Sequence, residues 1–350
     1  MKLTFSKFLK DQWSKLPPVV PEDLTGKTII VTGANNGLGF EAAKHFARMK
    51  PGKLILACRS KQKGEKALSD IVETTGCKTV ELKLVDLADF ESVKSFAHSF
   101  EQENDRLDIF LENAGLLPDS NANFTKDGWD PSVQVNDLSQ SLLALLLLPR
   151  LLETARKYNV TPRLVVVTSE MHFWSKFDKK LLDSSDTLRR YAHKDYIKST
   201  FDDGKYGETK LLNVFFARAL NDRLPPNSSL IVNCVNPGFC YSGFRKSFTG
   251  FKRIIDWLME VTLARTTEEG SRVLVWASLG GSENLNKLKG AYVSSCRVEE
   301  PSDFVISAEG LKAQNKLWTD LVKELTLVDP MVGKNVADYL HEVEGHDRTK

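Results

Sequence analysis

From residue 26 onward, short runs rich in β-branched residues alternate with segments whose apolar residues recur at helical spacing. This alternation is typical of βαβ units and indicates a parallel sheet with helices on both faces. We therefore predict an α/β fold, a single doubly wound parallel sheet of about seven strands. The predicted strands are 27–33, 53–59, 79–87, 107–115, 163–169, 230–238 and 290–295.

No linker rich in proline, glycine or serine divides the 350 residues, so we predict one main domain over 26–330. An N-terminal extension, 1–25, precedes it and a C-terminal tail, 331–350, follows it. Two aromatic-rich segments, 170–205 and 239–266, interrupt the alternation, and each follows a predicted strand. Because open α/β sheets bind ligands beyond the carboxyl ends of their strands, we expect these segments to form the walls and lid of an apolar pocket.

The composition excludes some classes of function. The formal net charge is +2 and no basic tract stands out, which argues against a nucleic-acid partner. The five cysteines are scattered and never spaced as metal ligands, so we expect free thiols, no disulfide, no bound metal and a reducing compartment, the cytoplasm.

Two segments could contact a membrane. The apolar run 141–153 is shorter than the roughly 20 residues that a span needs, and is better interpreted as a buried helix. Residues 1–20 place apolar side chains at near-helical spacing between lysines and lack the features of a signal peptide. Such a basic amphipathic helix either lies on a membrane surface or docks on its own domain.

The stretch "VTGANNGLGFEAA" (31–43) joins the first predicted strand to the first predicted helix. Glycines 33, 37 and 39 let the backbone turn tightly and approach a pyrophosphate, and the start of the helix offers free N–H groups. This context, with a strand before and a helix after, predicts a Rossmann-type dinucleotide-binding loop.

A tyrosine and a lysine stand one helical turn apart in "GKYGETKLLN" (204–213). Of the seven tyrosines, only Tyr206 has a lysine, Lys210, four positions later. Residues at this spacing lie on one face of a helix, so the hydroxyl and the ammonium can act on one site. Taken alone, such a pair is more often an ordinary surface turn of helix.

Four motifs in order resemble the short-chain dehydrogenase/reductase family over about residues 26–300. They are T-G-x-x-x-G-x-G (32–39), N-A-G (113–115), Y-x-x-x-K (206–210) and "NPGFCYSGF" (236–244). The residues within these motifs resemble those of fungal members associated with secondary metabolism, and they have some likeness to retinol-dehydrogenase-type enzymes. Many relatives are dimers or tetramers through their fourth and fifth helices, so the resemblance also implies a homo-oligomer.

The resemblance implies a role for individual residues. Tyr206 would be the catalytic acid/base and Lys210 its partner, Ser169 would polarise the substrate oxygen, and Asn136 would hold a water beside the lysine. One departure is Glu112, where the family has asparagine, which affects hydrogen bonding near the cofactor ribose. The expected cofactor-binding residues are Gly33, Asn35, Gly37, Leu38, Gly39, Arg59, Asp86, Asn113, Asn136, Tyr206, Lys210 and Ser242.

The second predicted strand ends "LILACRSK", with Arg59 where an NAD enzyme of this fold usually carries an acidic residue. A guanidinium can bind a 2′-phosphate through charge-assisted bonds, whereas a carboxylate would repel it. We therefore expect NADP(H), with Lys61 or Lys63 in support. The alternative is that Arg59 is a solvated charge after a strand.

These observations favour an NADP-dependent oxidoreductase that acts on a carbonyl or secondary alcohol of a lipophilic small molecule in secondary-metabolite biosynthesis. A catalytically idle dinucleotide-binding sensor or scaffold is a rival hypothesis, which the intact set of Tyr206, Lys210, Ser169 and Asn136 disfavours. A second rival is a peripheral membrane protein whose N-terminal helix is the main functional element.

Overall fold

The structure is a computed structural model, and it describes residues 3–119, 122–198, 204–241 and 260–343. Its centre is one eight-stranded sheet with the strand order β3-β2-β1-β4-β5-β6-β7-β8. All neighbouring strands are parallel except the last pair. The strands are β1 Thr28–Thr32, β2 Lys53–Cys58, β3 Val80–Leu84, β4 Ile109–Glu112, β5 Arg163–Val167, β6 Ile231–Asn236, β7 Tyr292–Ser294 and β8 Arg297–Glu299.

Helices cover both faces of the sheet, and most of them bury apolar residues in one of two hydrophobic cores. We label the helices of eight or more residues α1 Phe5–Trp13, α2 Gly37–Arg48, α3 Lys61–Thr75, α4 Phe90–Glu103, α5 Ser139–Tyr158, α6 Lys205–Arg223, α7 Thr267–Leu279, α8 Ala308–Val328 and α9 Pro330–Tyr339. Helices α4, α5 and α6 pack on one face, and α2, α3 and α7 on the other. The doubly wound parallel fold predicted from the sequence is thus confirmed.

The eighth strand is the difference from the prediction of about seven. It pairs antiparallel with β7 through a two-residue turn in which Ser295 and Cys296 have φ angles of 51° and 56°. Tight hairpins need positive φ at both turn positions, and they usually signal it with Asn-Gly or Asp-Gly. Ser-Cys carries no such signal, and a three-residue strand has no readable alternation.

In the described part of the segment 170–205, the chain folds into short elements rather than an open loop. They are a 3₁₀ helix, Glu170–Trp174, and two short helices, Lys179–Leu182 and Thr187–Ala192. The last of these is tied to α8, because the Thr187 N–H donates to Asp320 and Arg189 pairs with Glu324 at 2.8 Å.

The apolar run 141–153 lies in α5, inside the protein. The helical stretch Pro131–Tyr158 is long and apolar enough to cross a membrane by length and composition, yet 72% of its most apolar 18 residues are buried. Helix α9, within the predicted C-terminal tail, packs against it, and Asn335 donates to the Leu145 carbonyl at 3.0 Å. The domain boundaries remain a prediction.

Candidate active site

Glycines shape the turn between β1 and α2. Gly33 has a φ of 67°, and its N–H donates to the Ala57 carbonyl at 2.8 Å, which places the end of β2 beside the turn. A Cβ on Gly39 would lie 2.3 Å from Asn113 Nδ2, whereas a Cβ on Gly37 would meet nothing within 4 Å. Gly39 thus permits close internal packing, and Gly37 borders open space.

The amino end of α2 faces that same space. The side chain of its N-cap residue, Asn36, makes no capping hydrogen bond. The first N–H groups of a helix have no intrahelical partner and carry the positive end of the helix dipole, so they can bind a phosphate. Asn35 and Leu38 lie half-buried in and after the turn. The cradle fits a dinucleotide pyrophosphate.

Asn113 joins the glycine turn to the end of β4. Its side-chain amide donates to the Thr32 carbonyl at 2.9 Å, and its own N–H donates to Thr32 Oγ1 at 2.9 Å. The Thr32 hydroxyl in turn donates to Gln140 Oε1 at 3.2 Å. Asn113 is therefore a structural link that holds the glycine turn against the neighbouring strand end.

The residues expected around the adenosine lie at the ends of β2 and β3. Arg59 directly follows Cys58, the last residue of β2, and is exposed. Asp86 is half-buried, and its Oδ1 accepts from the Ala88 N–H at 3.0 Å. Both are one to two residues beyond a strand end, on the side where the glycine turn lies. Ser242 falls outside the described residues.

Helix α6 places Lys210 beneath Tyr206. The Lys210 ammonium lies 5.8 Å from the centroid of the Tyr206 ring and donates to the Val167 carbonyl at 3.1 Å and to Asn213 Oδ1 at 3.0 Å. Lys210 is only 5% exposed, while Tyr206 is half-buried. The two residues therefore share one helix face, as their spacing predicts.

Burial changes the acidity of the lysine. Desolvation lowers the pKa of Lys210 to about 8, because it penalises the charged form, and the nearby Asp137 acts in the opposite direction. The ammonium is consequently protonated at neutral pH but close to its titration point. A cation of this kind beside a phenol stabilises the phenolate.

Ser169 is brought to the same place by the packing of α6 on the 3₁₀ helix. A Cβ on Gly207, next to Tyr206, would lie 2.2 Å from Ser175 Oγ and 3.1 Å from the Met171 carbonyl oxygen, so the helix and the 3₁₀ helix approach closely at this glycine. Thr168 Oγ1 also donates to the Lys210 carbonyl at 2.6 Å. Ser169, the next residue, caps the 3₁₀ helix by accepting from the Met171 N–H at 3.3 Å.

His172 supports Ser169 from the core. It is fully buried, and its two ring nitrogens are used by the Ser169 carbonyl at 2.7 Å and the Ser302 N–H at 3.3 Å. Desolvation lowers the pKa of His172 to about 4, so the ring is neutral. The residue is therefore a structural tie between Ser169 and Ser302.

Asn136 sits in a π-helical turn, Gln134–Leu138, just before α5. Such turns are rare and frequently occur at functional sites. Its side chain accepts from the Leu116 N–H at 2.8 Å and donates to Thr209 Oγ1 at 3.1 Å. The π-turn frees its carbonyl oxygen for a side chain, and Asn213 Nδ2 donates to that oxygen at 2.8 Å.

Two buried carboxyl groups stand behind the lysine. Asp137 Oδ1 accepts from Asn213 Nδ2 at 2.8 Å, while Asp137 Oδ2 and both carboxyl oxygens of Glu112 are buried and find no hydrogen-bond partner among the described residues. Desolvation raises the pKa of Glu112 well above its usual value, and the Asp137 charge raises it further. No sequence pattern signalled this cluster, apart from the departure from the family at Glu112.

Helix α1 docks beside the site. Gln12, 6% exposed, donates to the carbonyls of Phe239 and Leu263 and accepts from the Phe239 N–H at 3.1 Å. A cleft lies between α1 and the ends of β6 and β7, and Phe173 and Arg265 are among the residues that line it. The helix therefore does dock on its own domain, while its Phe5 and Trp13 stay exposed.

Known proteins resemble this chain in sequence. A family model described as short chain dehydrogenase matches residues 27–172. The chain is 37% identical to the short chain dehydrogenase/reductase dmxR8 of a Cryptosporiopsis species, over 94% of this chain and 99% of that protein. It is 34% identical to the short-chain dehydrogenase anuD of Penicillium roqueforti, over 93% of this chain and 84% of that protein.

Solved structures share the fold. The oxidoreductase yciK of E. coli aligns with a TM-score of 0.58 and 25% identity, covering 79% of this chain and 98% of that one. A short chain dehydrogenase of Escherichia coli, described as complexed with NADPH, aligns with a TM-score of 0.56 and 25% identity, covering 79% of this chain and 99% of that one.

Proposed function

Because this chain belongs to the short-chain dehydrogenase/reductase family, whose members bind a nicotinamide dinucleotide, we propose that it is an NADP(H)-dependent oxidoreductase. It transfers a hydride between the nicotinamide and a carbonyl or secondary alcohol of a lipophilic small molecule. One observation carries the proposal. The Lys210 ammonium is buried, lies 5.8 Å from the centroid of the Tyr206 ring, and donates to Val167 at the strand end that precedes Ser169.

The proton-transfer step follows from these side chains. The bound nicotinamide supplies the hydride, a reaction that the protein supports by position and electrostatics. Tyr206 donates its phenolic proton to the substrate oxygen, and Lys210 stabilises the phenolate that remains. An unperturbed tyrosine has a pKa of about 10, so the adjacent cation brings it nearer to the working range of a general acid.

Ser169 and Asn136 assist in different ways. The Ser169 oxygen accepts a hydrogen bond from the Met171 N–H, which leaves its own proton to donate to the substrate oxygen as charge develops there. Asn136 links α6 to the loop after β4 through Thr209 and Leu116, so it acts by holding the helix that carries the pair.

The choice of NADP(H) depends on Arg59. Its exposed guanidinium follows β2, and β2 ends beside the glycine turn, where an adenosine 2′-phosphate would lie. The E. coli relative complexed with NADPH supports this assignment. Gly33, Gly37 and Gly39 with the start of α2 would hold the pyrophosphate.

The substrate class is inferred from the cleft beneath α1 and from the relatives. Phe8 and Phe173 give the cleft beneath α1 an apolar part, which suits a lipophilic group, and charged residues such as Glu170 and Arg265 line the rest. The fungal relatives support a role in secondary-metabolite biosynthesis.

The complete set of Ser169, Tyr206, Lys210 and Asn136 disfavours the idle sensor or scaffold. We place the protein in the cytoplasm. Membrane contact through residues 1–20 and homo-oligomerisation stay predictions, and a membrane contact would use the exposed Phe5 and Trp13.

A substrate screen tests the proposal. The purified protein is incubated with NADPH and a panel of lipophilic ketones, or with NADP and the matching alcohols, and the nicotinamide absorbance is followed before the products are identified. Turnover with at least one member of the panel is expected. NADPH binding without turnover on any ketone or alcohol of the panel would favour the idle dinucleotide-binding alternative.

A further inference from the structure

Asn213 connects the catalytic lysine to a buried carboxyl group. Its Oδ1 accepts from Lys210 Nζ at 3.0 Å, and its Nδ2 donates both to Asp137 Oδ1 and to the Asn136 carbonyl, each at 2.8 Å. Asn213 is 3% exposed. An amide can accept from the ammonium and donate to the carboxylate only in one orientation, so Asp137 fixes the way in which Asn213 faces Lys210.

Asp137 and Glu112 cannot both be ionised here. Both are buried, at 4% and 2% exposure, and the one cation near them is Lys210 as far as the described residues show. A second negative charge in such a place would be repelled by the first and would lack solvation. One carboxyl group must therefore carry a proton at neutral pH.

The hydrogen bonds show which one. Burial raises the pKa of both carboxyl groups well above the usual value, but only Asp137 has the Lys210 charge acting against that rise. Asp137 also has the Asn213 amide as a donor, whereas neither oxygen of Glu112 finds a donor among the described residues. Hydrogen bonds and opposite charge favour the ionised form of a carboxyl group. The charge consequently resides on Asp137 and the proton on Glu112.

We propose that Asp137 is a positioning residue that keeps Lys210 protonated and oriented through Asn213. Glu112 is then a neutral carboxylic acid, so that Asp137 is the charged member of the pair. The proposal rests on the proposed function, because it assigns the support of the same proton-transfer centre. It explains how an ammonium buried to 5% exposure stays charged beside Tyr206.

Other ionisable groups near the cluster are accounted for. The Tyr191 hydroxyl, on the short helix Thr187–Ala192, donates to Glu208 at 2.8 Å, and Asp137 and Glu208 both raise the pKa of that tyrosine. Lys205 is paired with Asp130 at 3.2 Å. Tyr191 is thus neutral, and Lys205 already has its own counter-charge.

Two isosteric substitutions test the proposal. Asp137→Asn keeps an oxygen that can accept from Asn213 but removes the charge, so Lys210 should lose its proton at lower pH. The alkaline limb of the kcat/KM profile for reduction should move to lower pH by about one unit. At pH values above the shifted limb, kcat/KM should be about tenfold lower than in the wild type, and at acid pH it should recover. Glu112→Gln copies the protonated acid, so it should leave the position of the limb in place.

Unequal effects of these substitutions support the assignment. An unmoved limb in Asp137→Asn would overturn the role of Asp137, and an equal shift in Glu112→Gln would overturn the assignment of the charge. Infrared spectroscopy of the protein without cofactor gives a readout that needs no substrate. Because burial also raises the pKa of Glu170, the readout is the difference spectrum between the wild type and Glu112→Gln. At neutral pH this difference should contain a protonated carboxylic acid band that the variant has lost, and a difference spectrum without that band would contradict the proposal.

The infrared result also separates this inference from the proposed function. A protein that turns over no ketone or alcohol but loses the band in Glu112→Gln would refute the oxidoreductase assignment alone. A protein that is active, with both variants unfolding at the wild-type temperature and sharing its pH profile, would refute the carboxyl assignment alone.

Discussion

The two ends of the candidate site are built in opposite ways. At the proton-transfer end, Lys210 is buried and bonded to Val167 and Asn213 before any ligand arrives. At the adenosine end, Arg59 is exposed directly after the last residue of β2. We therefore expect the first end to be preorganised by the fold and the second to become ordered when the cofactor binds. Substitutions should therefore alter the chemical step at one end and cofactor affinity at the other.

The largest effect is expected at the buried end. Lys210→Met keeps much of the aliphatic volume but removes the cation, so Tyr206 should lose its stabilised phenolate. Turnover should fall by about a hundredfold to ten-thousandfold, the range of general acid–base catalysis. Steady-state kinetics at saturating NADPH measures this. A folded variant that retains half of the wild-type turnover would show that the buried end does not determine the chemical step.

The exposed end should respond in affinity alone. Arg59→Ala removes a charge-assisted contact of about 1.5–3 kcal/mol, so NADPH binding should weaken by about tenfold to a hundredfold while NADH binding stays nearly unchanged. Turnover at saturating NADPH and the unfolding temperature should match the wild type. Titration of both cofactors into both proteins decides this, with Lys66→Ala, an exposed lysine on α3 that pairs with Asp70, as the matched charge control.

A wild-type preference for NADH would show that the NADP(H) assignment is wrong. An Arg59→Ala variant that weakens both cofactors equally would show instead that Arg59 supports the fold of the site rather than the 2′-phosphate.

The glycine turn allows the comparison to be made within one loop. A Cβ on Gly39 would collide with Asn113 and the Gly33 carbonyl, whereas one on Gly37 would project into open space. Gly39→Ala should lower the free energy of unfolding by about 1–3 kcal/mol through overpacking. Gly37→Ala strains a residue with a φ of 58° but should chiefly weaken NADPH binding.

Thermal unfolding without cofactor, followed by NADPH titration, separates these effects. Equal losses of stability and of affinity in the two variants would mean that the turn does not divide into a packing glycine and a ligand-facing glycine.

The smallest effect is expected at the substrate wall. Phe173 packs near Tyr292 with ring centroids 5.9 Å apart, and Trp174 is 57% exposed. Replacing both with alanine should raise KM or lower kcat/KM by about threefold to tenfold through lost apolar contact, with NADPH affinity unchanged. Tyr196→Ala, an exposed aromatic in the same segment, serves as the control. Unchanged kinetics with every substrate would show that Phe173 and Trp174 do not contact the substrate.

Local patterns in the sequence predicted much of this molecule. The order of strands and helices follows from hydrophobic period, and the placement of Tyr206 over Lys210 follows from helix geometry. Both features depend on residues that are close in the chain. The second predicted pocket segment, 239–266, is described only at its two ends, so that prediction stays open.

Contacts between distant residues could not be predicted in the same way. Gln12 meets Phe239 across 227 positions, and the Lys210–Asn213 pair meets Asp137 from a different element. No periodicity encodes such meetings, because each partner alone is an ordinary polar residue. Gly207 is a further example, because its close approach to Ser175 and Met171 arises only when the 3₁₀ helix packs against α6.

The most direct test of the account concerns the tyrosine itself. Tyr206→Phe removes one hydroxyl while keeping the ring that lies above Lys210. NADPH affinity and carbonyl-reduction turnover are measured side by side for the wild type and the variant. The account predicts unchanged NADPH affinity with turnover reduced by about a hundredfold or more. Wild-type turnover in a variant that binds NADPH normally would contradict the assignment of Tyr206 as the proton donor.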